Sequence, residues 1–258
     1  MADAQADDAG GDVLAQALDT ALEAGVQVQM SGGYTTRVYE TMDAIAIAMG
    51  AERSEGSVSS TVVGLTIHAG SRSLTAFRRT PHIGVNFSEL SALSQLTRQA
   101  PQMSPETVAT RLSDIRAARS KYPAALRVVM LGVACAAFAG LFEADMAGVL
   151  VAGLGGLVGA AVRHVMSTRR FKPFMFCSAA AFTSTSLVLW LAPATSTATS
   201  ALAACVLYLV PGVPLLNGTS DLLATHYLNG LVRLTMSMVV VLASAIGVSL
   251  ALGLWGLP

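Results

Sequence analysis

From residue 13 onward, apolar residues recur at helical spacing. Leu14, Leu18, Leu22 and Val26 share one face, which predicts a helix that ends at Ser31-Gly32-Gly33. A second predicted helix carries Val38, Met42, Ile45 and Met49 on one face and stops at Gly50. The pattern then changes. Residues 57–68 are rich in β-branched side chains, Ala69-Gly70-Ser71 reads as a turn, and residues 72–79 return as a second strand of a hairpin. Residues 83–87 are expected to add a short strand. A helix over 88–99 turns Leu90, Leu93 and Leu96 inward. Ser104-Pro105-Glu106 has the order of a helix start: a hydroxyl cap, a proline in the first turn and an acid near the positive end of the dipole. That helix carries Val108, Leu112 and Ile115 and ends near Tyr122-Pro123. Residues 1–12 read as a disordered tail, and residues 13–122 as a small α+β domain.

Past residue 122 the runs become long and apolar. A bilayer core about 30 Å thick takes about 20 apolar residues in a helix, and five segments qualify: about 124–142, 146–162, 173–192, 200–216 and 230–255. The expected fold is therefore a membrane all-α bundle of five transmembrane helices over 123–258, preceded by the α+β domain. Small residues recur every fourth position: Gly132, Ala136 and Gly140 in the first helix, Gly155 and Gly159 in the second, Ala243, Gly247 and Ala251 in the fifth. Such faces let helix backbones approach closely.

Charge sharpens the division. Only 12% of the 258 residues are charged, against about 25% in soluble domains. Eleven of the 16 Lys and Arg lie at or before Arg127, as do thirteen of the 16 acids. The basic groups near the predicted spans are Arg111, Arg116, Arg119, Lys121 and Arg127 before the first, Arg163, Arg169, Arg170 and Lys172 after the second, and Arg233 after the fourth. The two opposite links carry none. Five crossings place all three clusters on one side, which by the positive-inside rule is cytoplasmic. The expectation is a multi-pass protein of the cell inner membrane, N-terminus cytoplasmic and C-terminus external. The acidic start MADAQADDAG has neither the basic region nor the apolar stretch of a signal peptide.

Much chemistry is excluded by what the pattern lacks. No basic stripe with interleaved aromatics speaks for nucleic acid. Cys135, Cys177 and Cys205 each sit in an apolar run without metal-ligand spacing, and read as inert buried thiols. The domain's histidines, His68 and His82, stand beside no nucleophile motif, and Ser57, Ser59 and Ser60 lie outside any G-x-S-x-G. No catalytic residue, metal site or cofactor is expected. There is no P-loop to hydrolyse a nucleotide.

Residues 209–233, LVPGVPLLNGTSDLLATHYLNGLVR, are the most informative. Pro211 and Pro214 flank Gly212, and prolines there leave carbonyls without helical donors. This reads either as a discontinuous helix lining a solute site or as a plain helix end. Asn217, Asp221 and Thr225 share a helical face. Asp221 is the only acid after Asp145. At membrane depth it marks a pathway or an ion pair, with His226 or Arg233 as partner; at the interface it is merely solvated. Thr183, Ser184, Thr185 and Ser186 are mid-membrane hydroxyls that either bond back to their own helix or line a polar path.

On Leu209-Val210-Pro211-Gly212, Pro214, Asn217, Asp221, His226, Gly230-Leu231 and Arg233 the chain resembles the threonine/serine exporter (ThrE-like) family, and most of all its split, two-component type with a larger YjjP-like component. Phe176-Cys177 and the closing Leu254-Trp255-Gly256-Leu257 also fit, as does an early Gly-Gly-then-helix pattern. The resemblance implies export of small amino or carboxylic acids, of the threonine/serine or succinate type, by secondary transport. It also implies a small all-membrane second subunit (YjjB-like) as partner, with the lipid bilayer and the solute. The candidate pathway is Pro211, Gly212, Pro214, Asn217, Asp221, His226 and Arg233, with Thr183 and Thr185. Arg233 is a candidate to hold a carboxylate in bidentate fashion. The alternative from another class is a membrane-anchored enzyme with a catalytic cytoplasmic domain.

Overall fold

The computed structural model describes residues 2–80, 84–118 and 122–255, with side chains from residue 12 onward. Outside it lie His82, Ile83, Arg119, Lys121 and the closing Gly256-Leu257 of the sequence reading. In chain order the elements are α1 (Ala2–Met30), α2 (Thr35–Ala48), β1 (Arg53–Val58), β2 (Val62–Ala69), β3 (Arg72–Arg79), α3 (Phe87–Gln99), α4 (Pro105–Ala117), α5 (Ala124–Leu141), α6 (Met146–Thr168), α7 (Pro173–Leu191), α8 (Ala198–Cys205), α9 (Gly212–Leu223) and α10 (Tyr227–Leu254). By packing the chain divides into two units, Met1–Ser120 with Val213–Leu234, and Lys121–Gly212 with Thr235–Pro258.

The first unit holds a three-stranded antiparallel sheet, ordered β1-β2-β3, with four helices packed on one apolar core. Leu22, Met42, Ile45, Leu65, Ile67 and Leu93 are fully buried in it. These include the inward stripes expected for the first three helices, and Val108 and Leu112 of α4 join them. Ser104 caps α4 as expected, its hydroxyl accepting the Thr107 N–H at 3.4 Å.

Three expectations are corrected here. First, residues 57–68 form parts of two strands rather than one. Ser59 folds the chain back: its N–H donates to the Val62 carbonyl at 2.8 Å, and its hydroxyl accepts the Val62 N–H at 3.1 Å. Serine and threonine bond to nearby backbone as readily as they sit in strands, so the turn was hidden in a β-like run. Second, residues 84–86 form no strand. The Gly84 N–H bonds the Met30 carbonyl at 2.9 Å and the Asn86 N–H bonds that of Ser31 at 3.0 Å, and Asn86 then caps α3. Third, α1 begins at Ala2, where a tail was expected over 1–12; alanine there favours helix despite the polarity.

The second unit is helical. α5 and α6 meet at Gly132 and Gly153, where a methyl on Gly132 would come within 3.0 Å of the Gly153 carbonyl. Gly155 and Gly159 of α6 face α7, and Gly247 of α10 lies against Ser178 and Ala181 of α7. Gly140, by contrast, has only Val149 near it, at 4.0 Å. The three cysteines are free and buried. Large apolar side chains stay exposed along the outer faces, among them Met130, Val133, Leu150, Leu154, Leu242 and Leu250. A surface of that kind suits lipid or another apolar partner.

Among the described residues four helices are long and apolar enough to cross a membrane: α5, α6, α7 with the turn that follows it, and α10. A broken pair, residues 198–209 with 212–223, makes a fifth if it counts as one span. The continuous helix expected over 200–216 is therefore corrected to α8, a 3-10 turn over Leu207–Leu209, and α9.

Candidate functional site

α1 ends in a turn that brings backbone groups to a point. Gly32 takes φ +89°, open to glycine and costly for other residues. The Gly33 N–H reaches back to the Val28 carbonyl at 2.9 Å and the Gly32 N–H to that of Gln29 at 3.2 Å, the bond pair of a Schellman end. α2 then starts at Thr35. Its preceding residue, Tyr34, supplies no side-chain cap, so the first N–H groups of α2 need an acceptor from elsewhere.

Asp221 of α9 supplies it. Its Oδ1 accepts the Thr35 N–H at 2.8 Å from 186 positions away in sequence. A carboxylate there also meets the positive end of the α2 dipole. Oδ2 faces Arg233 of α10, whose Nε stands 3.3 Å off. That geometry is an ion pair without a well-aligned hydrogen bond, and among the described residues Oδ2 has no hydrogen-bond partner. Asp221 is fully buried and Arg233 nearly so. A second guanidinium nitrogen of Arg233 donates to the Gly33 carbonyl at 3.0 Å. Asn217 donates to the Gly32 carbonyl at 2.7 Å. His226 lies against the Tyr39 ring of α2, centroids 5.3 Å apart.

Of the two partners the sequence offers Asp221, His226 and Arg233, it is Arg233 that stands against its carboxylate, with Asn217 on the same helix. Sequence reasoning missed what they bind, the Gly32-Gly33-Tyr34-Thr35 turn. It also missed Asn229, whose amide donates to the Val58 carbonyl at 2.8 Å and the Thr35 hydroxyl at 3.2 Å. The signal was present: Asn229 and Arg233 are four apart, as are Asn217 and Asp221, so each helix offers one polar face. Backbone carbonyls, however, leave no trace in side-chain patterns.

Other nominations read differently in the fold. Thr225 does not continue the Asn217–Asp221 face; with φ 65° it closes α9, the His226 N–H bonding the Asp221 carbonyl at 2.8 Å. Pro211 and Pro214 do interrupt the helix, yet the two carbonyls they deprive of donors find others. That of Leu207 accepts the Val210 N–H at 3.1 Å and that of Val210 accepts the Gly212 N–H at 2.9 Å. Thr183 bonds back to the Ala179 carbonyl at 2.9 Å. Among the described residues the buried Ser186 hydroxyl has no hydrogen-bond partner, and Pro211, Gly212, Thr183 and Thr185 belong to the second unit. A cavity of about 490 Å³ between α3 and α4, lined in part by Glu89, Gln95, Gln99 and Arg111, contains none of the nominated residues.

A second held carboxylate lies in the other unit. Asp145 caps α6 through the Gly148 N–H at 2.6 Å. It also accepts from the hydroxyls of Thr195 at 2.5 Å, Ser196 at 2.8 Å and Thr197 at 3.0 Å, and from the Ser196 N–H at 3.0 Å. The Thr195 hydroxyl first, then the Ser196 and Gly148 amides, hold its pKa well below the usual carboxylate range.

At least four helices long and apolar enough to cross a bilayer make this a multi-pass membrane protein. The chain belongs to the threonine/serine exporter family: the family described as "Putative threonine/serine exporter" matches residues 19–255. It is 30% identical over 241 residues to the "Probable succinate transporter subunit YjjP" of Escherichia coli (strain K12), covering 92% of this chain and 93% of the relative. The protein of the same description from Klebsiella aerogenes gives the same figures. No solved structure matches the chain.

Proposed function

We propose that this chain is the larger subunit of a two-component inner-membrane exporter of small amino or carboxylic acids, of the threonine/serine or succinate type, working by secondary transport. Family membership and the relatives' description as transporter subunits support the class and a partner subunit, which this reading takes to be a small all-membrane protein. The observation that carries the mechanism is the buried Asp221–Arg233 pair bonded to the turn before α2.

Asp221 is the coupling group in this reading. Ionised, it holds the Thr35 N–H and Arg233, and the turn stays docked on α9 and α10. A proton on Oδ2 removes the charge that both partners are bonded to, so the docking weakens and the α9–α10 corner moves. The prolines at 211 and 214 and Gly212 are the hinge, with their carbonyls satisfied locally. Asn217 and His226 share the docking surface, and Thr183 and Thr185 border the solute path.

The same packing supports five crossings. The four-helix domain and the α9–α10 turn belong to one unit, so they lie on one side of the bilayer. An even number of crossings must separate them. α5, α6 and α7 make three, the broken α8–α9 pair the fourth, and α10 the fifth. The N-terminal domain is then cytoplasmic and the C-terminus external.

The test is export of succinate and of threonine from cells producing both subunits. Asp221→Asn and Arg233→Ala, each verified in the membrane, are expected to lose most export. Wild-type rates from both variants would sink the coupling role.

A further inference from the structure

Arg233 has its guanidinium on Asp221 and the Gly33 carbonyl, so the docked state does not leave it free for a solute. The second unit offers another cation. Arg127, Arg169, Arg170 and Lys172 are exposed there, whereas Arg163 is half-buried within α6. Among the described residues no hydrogen bond or ion pair engages Arg163. A half-buried cation without a counter-ion in an apolar helix is costly, and such groups usually serve a ligand or a partner.

Its surroundings are polar and close-packed. Gly159 lies one turn before Arg163, on the same face. A methyl there would stand 1.8 Å from the Ser184 hydroxyl and 2.4 Å from that of Tyr208, so this glycine keeps room for both. The two hydroxyls are 3.3 Å apart. Arg163 is near enough for its charge to act on Tyr208 and on Cys177 of α7. Tyr208 sits in the 3-10 turn that precedes the Pro211 break.

We infer that Arg163, Tyr208 and Ser184 form a carboxylate subsite within the membrane unit: the guanidinium takes the solute's carboxylate, and the paired hydroxyls orient it beside the helix break. This rests on the exporter reading, which supplies the acid. A guanidinium fork suits a carboxylate's two oxygens, and phenol and serine hydroxyls donate to the same group. An amino acid and a dicarboxylate share this feature, so the subsite accepts either.

The experiment measures saturation of succinate and threonine transport in vesicles from cells producing both subunits, with succinamide as neutral competitor. Arg163→Gln is expected to raise KM for both acids by about tenfold or more, the usual scale for losing a charged hydrogen-bond partner. It should also erase the preference for succinate over succinamide. Arg163→Lys should restore part of both, and Tyr208→Phe should raise KM with the protein amount unchanged. Arg169→Gln removes a charge from the same end of α6 and should leave KM and selectivity alone. Wild-type KM and selectivity in Arg163→Gln, with wild-type export intact, overturn the subsite while the exporter reading stands. So does an equal loss in Arg169→Gln, which reports membrane insertion. If wild-type cells export neither acid, the exporter reading fails and the subsite with it.

Discussion

Asp145 and Asp221 each stand beside the turn that closes a helix, and each ties distant segments together. Asp145 receives five donors, all neutral, from the start of its own helix and the link at 195–197. Both oxygens are satisfied and water reaches the site. Asp221 is fully buried, with one backbone N–H on one oxygen and only a guanidinium facing the other. Many neutral donors make a carboxylate a fixture, since no single loss frees it. Two partners, one of them charged, make the whole arrangement depend on single side chains. In the proposed mechanism that difference separates a staple from a switch.

The largest effect expected from breaking this comparison is at Arg233. Arg233→Gln leaves the Asp221 charge buried without its cation, which costs about 3–5 kcal/mol. Thermal unfolding in detergent should fall steeply. Adding Asp221→Asn should recover much of that loss, because the unpaired charge disappears while an acceptor for the Thr35 N–H remains. If the double variant is no more stable than Arg233→Gln alone, the two residues are not energetically coupled and the switch description is wrong.

Asp145 should respond to pH instead. Its folded pKa is depressed, so its contribution is fully present above the unfolded value of about 4 and is lost as pH falls below that, toward the folded value. The melting temperature of Asp145→Asn should therefore lie below wild type by the same interval at pH 7 and pH 5. The interval should shrink below about pH 4. A gap that stays constant into acid would show that the charge of Asp145 contributes nothing and only its shape matters.

These two sites also show where sequence legibility ended. The apolar stripes of α1 to α4 and the extents of α5 and α7 were readable because burial on one face, or in lipid, imposes a period on side chains. The Asp221–Arg233 pairing was readable because charge is rare in such a run. The Asp145 knot leaves no such trace: its partners are Thr195, Ser196 and Thr197, fifty residues on, and hydroxyls are common in any link. The docking of 213–234 on the N-terminal unit was equally hidden. It runs through the carbonyls of Gly32, Gly33 and Val58 and the amide of Thr35, groups that every sequence possesses. The Pro211 break was visible, but not that its stranded carbonyls find new donors within three residues.

The smallest effect lies in the two helix ends themselves. Thr225 and Glu143 both hold left-handed backbone, φ 65° and 58°, at the position where helices usually place glycine. In each the next N–H closes onto the carbonyl five residues back, His226 to Asp221 at 2.8 Å and Ala144 to Ala139 at 3.0 Å. Left-handed backbone costs an L-residue about 1–2 kcal/mol, and glycine gives back about 0.4–1 through the unfolded chain, so Thr225→Gly should gain roughly 0.5–1 kcal/mol. Glu143→Gly should gain less, because an unbranched side chain is less crowded there than threonine. If the α9–α10 corner must move for export, the extra stability should carry a slower rate at Thr225 and none at Glu143. Equal export from both glycine variants, with the stability gain measured, would mean that the corner below Asp221 is as static as the one beside Asp145.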